Sequence, residues 1–161
     1  MVKVLVVDFD DTLYMHGERI WSNRERTRRV VKGEDIYSRS VIPSYMRDLI
    51  ARAVEQNIPI YCVSWVIDSL WVDAKQAKVD KDFGKDVIKV IGSSTPEHKL
   101  DILQSLVEKH GCERHELLFV DDLYSTWQEA SINGFTGICP QYVEAFGVDR
   151  YLPDSKEVPT I

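Results

Sequence analysis

Five short apolar runs punctuate the chain: "VKVLVVDF" (2–9), "IPIYCVS" (58–64), "VIKVIG" (87–92), "ELLFVD" (116–121) and "GFTGIC" (134–139). The intervals between them have room for helices. Pro43 opens a helix over 43–56 that Asn57 ends, a second runs over 66–78, "STPE" opens a third over 96–110 that Gly111 stops, and a fourth over 123–133 stops at Gly134. Hydroxyl residues or proline at the first turn, and Gly or Asn just past the last, are the boundary chemistry of helices. Runs that are almost continuously apolar, rather than alternating, belong to strands covered on both faces. Strands alternating with helices therefore predict an α/β domain, a doubly wound parallel sheet. In such sheets ligands bind outside the carboxyl ends of the strands, where the strand order reverses.

A length of 161 residues predicts one domain, 1–161. Two stretches lie outside the alternation. Residues 18–40, "ERIWSNRERTRRVVKGEDIYSRS", lack a helical stripe and read as a small flap with a hairpin around "KGED". Residues 148–161, with Pro153 and Pro159, read as an irregular surface tail. A net charge of -6 gives no general attraction to nucleic acid or anionic membrane. Cys62, Cys112 and Cys139 show neither CxxC nor zinc spacing and fit a reducing compartment. The first seven residues are too short for a signal peptide and no later run reaches a membrane span, so a cytoplasmic protein with no membrane partner is expected.

The first apolar run ends in "DFDDT", 8–12. A carboxylate cluster at the tip of a buried strand repels itself unless a cation or a phosphoryl group is brought there. On an extended chain Asp8 and Asp10 would share one side, with Phe9 on the other. An EF-hand calcium loop fails, because Leu13 replaces the required glycine and Arg19 the closing glutamate. A second acidic pair, Asp121 and Asp122, ends the run "ELLFVD". Either pair alone reads as a helix cap. Two strand ends gathered into one crevice make a hard-cation site the economical account, and magnesium, which keeps its waters, suits so few carboxylates.

"DFDDT" also matches the DxDxT first motif of the haloacid dehalogenase (HAD) superfamily. Ser64 ending "IYCVS", Lys99 in "TPEHKLDIL" and "VDD" at 120–122 follow in the order of its other motifs, so the chain resembles that superfamily over residues 2 to about 139. The resemblance implies a small phosphatase with a Rossmann-like core. Asp8 would be the nucleophile that forms an aspartyl-phosphate, and Asp10 the general acid and then base. Ser64 and Lys99 would bind the phosphoryl group, and Mg2+ would be held by Asp8, the Asp10 carbonyl, Asp121 and Asp122. Dehalogenases of the superfamily lack the second aspartate, so Asp10 points to phosphoryl transfer.

Trp65 stands where the superfamily often has a small residue, so it would wall the pocket or stack on a substrate ring. Only 35 residues separate Ser64 from Lys99, leaving no room there for a large cap domain. With no large lid, a phosphorylated macromolecule, either a phosphoprotein or a nucleic-acid end, would close the site by docking; otherwise an extension or an oligomer partner would cover it. A non-catalytic phosphoryl-binding or scaffolding protein is the alternative, and the oligomeric state stays open. Positions 18–39 hold seven basic and four acidic residues, a local +3. This makes Arg26, Arg28 and Arg29, with Thr12, Ser64, Trp65 and Lys99, the candidate substrate contacts, and Trp21 or Tyr37 candidates to stack on a ring. His16 is a possible neighbour of the pocket; Cys62 is expected in the core.

Overall fold

A computed structural model describes residues 1–17 and 21–154. Positions 18–20 of the flap and 155–161 of the tail lie outside the described residues. The elements are β1 (Val4–Val7), α1 (Asn23–Val31), α2 (Ser44–Glu55), β2 (Ile60–Trp65), α3 (Ser69–Phe83), β3 (Ile88–Ser93), α4 (His98–His110), β4 (Leu117–Val120), α5 (Tyr124–Ile132), β5 (Thr136–Ile138) and α6 (Pro140–Phe146). All five strands are parallel, in the order β3-β2-β1-β4-β5. The chain order reverses at β1, and both neighbours of β1 begin crossovers there. This is the doubly wound sheet that the apolar runs predict.

Alternation along β1 divides the core. Leu5 and Val7 look to the side where Met46 and Leu49 of α2, Val79 of α3 and Val143 of α6 pack; Val4 and Val6 look to Leu103 and Leu106 of α4 and Ala130 of α5. Every residue of β1 and β4 is buried, which explains the lack of polar alternation in their sequences. The described residues contain no helix long and apolar enough to cross a membrane.

The flap is not a hairpin. Asn23–Val31 is a helix whose N-cap, Ser22, accepts the Glu25 N–H, and the expected hairpin turn "KGED" is its stop: Gly33 takes φ +78° and its N–H reaches the Val30 carbonyl. An apolar stripe is absent because polar groups anchor this helix. Thr27 Oγ1 accepts from Trp71 Nε1 at 3.0 Å, and Glu25 takes Arg28 and Arg29 at 2.7 and 2.9 Å. The tail also departs from expectation at its start. Val148–Arg150 forms a 3-10 turn, Leu152 is buried, and Arg52 donates to the Leu152 carbonyl at 2.8 Å.

Candidate active site

The first strand stops at Val7 and the chain then coils back on itself. Leu13 N–H reaches the Asp8 carbonyl, Tyr14 N–H the Phe9 carbonyl, and Asp11 takes a left-handed φ of 59°. The strand therefore ends at Val7, short of the extended geometry expected for residues 8–10. The coil separates the two carboxylates, so that Asp8 and Asp10 face different cations.

Asp8 is buried, and Lys99, in the first turn of α4, places its Nζ 3.0 Å from Asp8 Oδ1 and 2.7 Å from Asp121 Oδ2. One ammonium thus bridges the tips of β1 and β4. Asp122 is held from the other side: its N–H donates to Thr12 Oγ1 at 3.0 Å, and that hydroxyl donates back to Asp122 Oδ1 at 3.3 Å. Thr12, expected as a substrate contact, is buried and engaged in fixing the β4 loop. Asp8, Asp121 and Asp122 each offer an oxygen within 4.8 Å of the others. Three hard oxygens at that spacing fit a small divalent cation that completes its shell with water and ligand oxygens. The Asp10 carboxylate is not in this group.

Asp10 instead meets a lysine that the sequence reading did not single out. Lys75 of α3 is 0% exposed; its Nζ donates to Asp10 Oδ2 at 2.9 Å and Ser64 Oγ at 2.7 Å, and reaches the Trp65 carbonyl at 3.4 Å. An ammonium has only donors, so Ser64 must accept from it and its own proton points elsewhere. The other Asp10 oxygen lies 2.6 Å from His16 Nε2. His16 is thus the pocket neighbour the sequence pointed to. Trp71, Lys75, Lys78 and Val79 are the buried positions of α3, spaced i, i+4, i+7 and i+8. The missed signal is a lysine standing on a core stripe.

Burial raises the Asp8 carboxyl and Lys99 opposes it, but the carboxylates of Asp121 and Asp10 add to the rise, and the group is pushed up to about 7. Burial also acts to raise Asp10. There the hydrogen bond from His16 and the charge of Lys75 outweigh it and hold the carboxyl well below the ordinary range. Asp122 is raised by burial and by the neighbouring Asp121. Lys99 is raised because Asp8 and Asp121 outweigh its burial. Burial raises the Cys62 thiol in the core, where the sequence placed it.

A raised Asp8 gives the metal-free fold a defined pH response. The folded state holds a proton that the unfolded chain releases near pH 4, so this group's contribution to stability falls as pH rises from about 4 through 7. A divalent cation competes with that proton. Magnesium is therefore expected to raise the melting temperature more at pH 8 than at pH 5; an equal shift at both would place the metal away from Asp8.

Of the remaining candidates, Trp65 is 41% exposed at the rim, its Nε1 donating to the Ser94 carbonyl at 3.2 Å. Arg28 is paired with Glu25 and largely exposed. Arg29 is shared between Glu25 and Glu34, with its guanidinium 4.1 Å from the Trp21 ring centre. Arg26 alone turns inward, 4.0 Å from Asp10. Tyr37 is a core residue, packed on Phe9 at 4.9 Å and His16 at 5.7 Å, so its ring is not open for stacking.

No family model and no curated protein matches the sequence. The likeness is one of fold. A HAD-family enzyme of Bacteroides thetaiotaomicron superposes with a TM-score of 0.55 at 15% identity, covering 90% of this chain and 98% of that one. Its complex with magnesium and inorganic phosphate aligns at 0.53 and 16%, covering 86% and 94%. A haloacid dehalogenase-like hydrolase of Bacteroides fragilis aligns at 0.55 and 15%, covering 91% and 94%. The chain has the Rossmann-like core fold of HAD-family hydrolases.

Proposed function

We propose that the protein is a magnesium-dependent phosphohydrolase that cleaves a phosphate monoester through an aspartyl-phosphate on Asp8. The observation that carries this reading is the Lys99 ammonium bridging Asp8 and Asp121 at a strand-end crevice, with a second carboxylate, Asp10, held apart on its own cations. Passive binding of an anion has no use for four carboxylates. A reaction that needs a nucleophile, a proton carrier and a cation site uses all of them. The fold relative that holds magnesium and phosphate supports the same chemistry.

An Asp8 carboxylate oxygen attacks phosphorus while the bond to the leaving oxygen breaks. That oxygen takes a proton from Asp10, and water then attacks the aspartyl-phosphate as Asp10 takes a proton back. To donate first, Asp10 must itself be protonated, and His16 Nε2 at 2.6 Å is the group placed to share a proton with it. The Ser64 hydroxyl, whose oxygen accepts from Lys75, keeps its own proton to donate to a phosphoryl oxygen, and Lys99 offsets the charge of both Asp8 and the phosphoryl group. Magnesium, held by Asp8, Asp121, Asp122 and the Asp10 carbonyl, would supply the charge neutralisation that lets an anionic nucleophile approach an anionic ester.

Of the flap arginines, Arg28 and Arg29 are engaged by Glu25 and Glu34, so Arg26 would serve recognition of the rest of the substrate. A cavity of about 900 Å³ lined by His16 and Arg26, both of which contact Asp10, favours a small leaving group over a docked macromolecule. Magnesium-dependent phosphate release from an aryl phosphate, abolished by EDTA, is the expected result. Beryllium fluoride with magnesium should also raise the melting temperature, and should do so far less in Asp121→Ala. A protein that binds beryllium fluoride yet releases no phosphate from any ester would be a phosphoryl-binding protein instead.

A further inference from the structure

The cavity is walled in part by His16, Trp21, Arg26, Tyr37 and Arg39, and it meets Asp10 through His16 and Arg26. Arg26 differs from its neighbours. Its side chain is only 10% exposed, yet among the described residues its guanidinium has an ionic contact with Asp10 Oδ1, 4.0 Å away, and no hydrogen bond to a side chain. That distance is too long for a hydrogen bond, and Asp10 already has His16 on the same oxygen and Lys75 on the other. Arg29, on the same wall, is spent on Glu25 and Glu34.

A guanidinium carries five N–H donors in a rigid fork, and among the described residues no protein acceptor takes those of Arg26, which leaves them for a ligand in the cavity. The Trp71 ring, its centre 4.6 Å from the Arg26 guanidinium carbon, offsets the charge but accepts few of those hydrogen bonds. Trp71 is itself locked by its bond to Thr27, so Arg26 is held ready rather than free to swing into solvent. The fork matches a carboxylate or a phosphate in a two-point contact. Since Asp10 faces the leaving oxygen in the proposed reaction, an anion on Arg26 would sit within a few bonds of the scissile ester.

We infer that the cavity receives the leaving group, and that the preferred substrate is a small phosphomonoester whose leaving group carries a second anion, a carboxylate or another phosphate, gripped by Arg26. This rests on the phosphohydrolase reading above. Arg26 and Arg39 bring positive charge to the cavity, while Glu34 and Asp35, also in its lining, are paired with Arg29 and Lys81.

The test compares kcat/KM for 3-phosphoglycerate and for 1,3-propanediol bisphosphate with that for glycerol 3-phosphate, whose leaving group is neutral. Wild type is expected to favour one or both anionic substrates by about 30-fold or more, as a desolvated two-point Arg contact implies. In Arg26→Gln the preference should fall to within about threefold of unity, and in Arg26→Lys to an intermediate value, because a point charge replaces the fork. Using the ratio cancels any general loss of folded protein or turnover. Preference for the carboxylate or for the second phosphate identifies which anion the site takes. A wild-type ratio near one, or a ratio unmoved by Arg26→Gln, overturns the subsite while leaving the phosphohydrolase standing. No magnesium-dependent release from any of the three, or from an aryl phosphate, overturns the phosphohydrolase reading itself.

Discussion

Asp8→Asn is expected to lower phosphate release by about 1,000-fold or more, while the protein folds as before or better. The amide keeps the shape of the carboxyl but is a poor nucleophile and a poor cation ligand. The stability half of the result follows from burial. Asp8 lies among Asp121 and Asp10 in a nearly closed site, and its carboxyl is pushed up to about 7, so above that pH its charge is held at a cost that the amide removes. Losing the bond from Lys99 works in the opposite direction, but Asp121 keeps that ammonium at 2.7 Å. Metal-free melting temperatures should therefore converge at or below about pH 4, separate in favour of the variant as pH rises through 7, and differ most at pH 8. Phosphate release and intact mass, the latter to exclude deamidation, measure the first half; thermal melts across pH measure the second. Retained turnover would remove Asp8 from the covalent role, and a variant less stable at pH 8 would mean that Lys99, not burial, governs this carboxyl.

The same physics explains what could be read from the chain beforehand. All five strands were legible because strands covered on both faces have no choice but apolar residues, and three helices because Pro43 and Asn57, Gly111 and Gly134 mark their ends. Three motif positions, Asp8, Lys99 and Asp121, come together because each stands at a strand end or a helix start in a sheet that collects those points on one edge. Helix α1 was not legible, since Arg26 and Thr27 rather than leucines attach it to α3. The helix expected over 66–78 runs on to Phe83, where Gly84 at φ +100° stops it. Lys75 is hard to read from the sequence for a related reason. Lysines are read as solvated, and only the spacing of Trp71, Lys75 and Val79 marks this one as facing the sheet.

Lys75→Met should have the second large effect, on stability and turnover together. The substitution nearly preserves volume and removes one buried ammonium that serves three acceptors, of which Ser64 Oγ is buried. Taking one partner from a buried ion pair costs about 3–5 kcal/mol. Asp10 keeps roughly a quarter of its side chain exposed and retains His16, so about 2–3 kcal/mol is the expected loss once solvent screening is allowed for. For a domain of this size that is a fall in melting temperature of about 5–10 °C. Turnover should fall because the Asp10 carboxylate and the Ser64 hydroxyl lose the common donor that aims them. The fall should be steeper for alkyl phosphates, whose leaving oxygen needs Asp10's proton, than for nitrophenyl phosphate, whose leaving oxygen needs little. Adding Asp10→Asn to Lys75→Met removes the stranded charge and should restore part of the lost stability, though no activity. A double-mutant cycle in thermal melts reads that coupling directly. If the two substitutions destabilise additively, Lys75 is not compensating Asp10. If Lys75→Met slows alkyl and aryl esters by the same factor, its place in the site is to hold Ser64 and the β2 edge, not to aim the proton carrier.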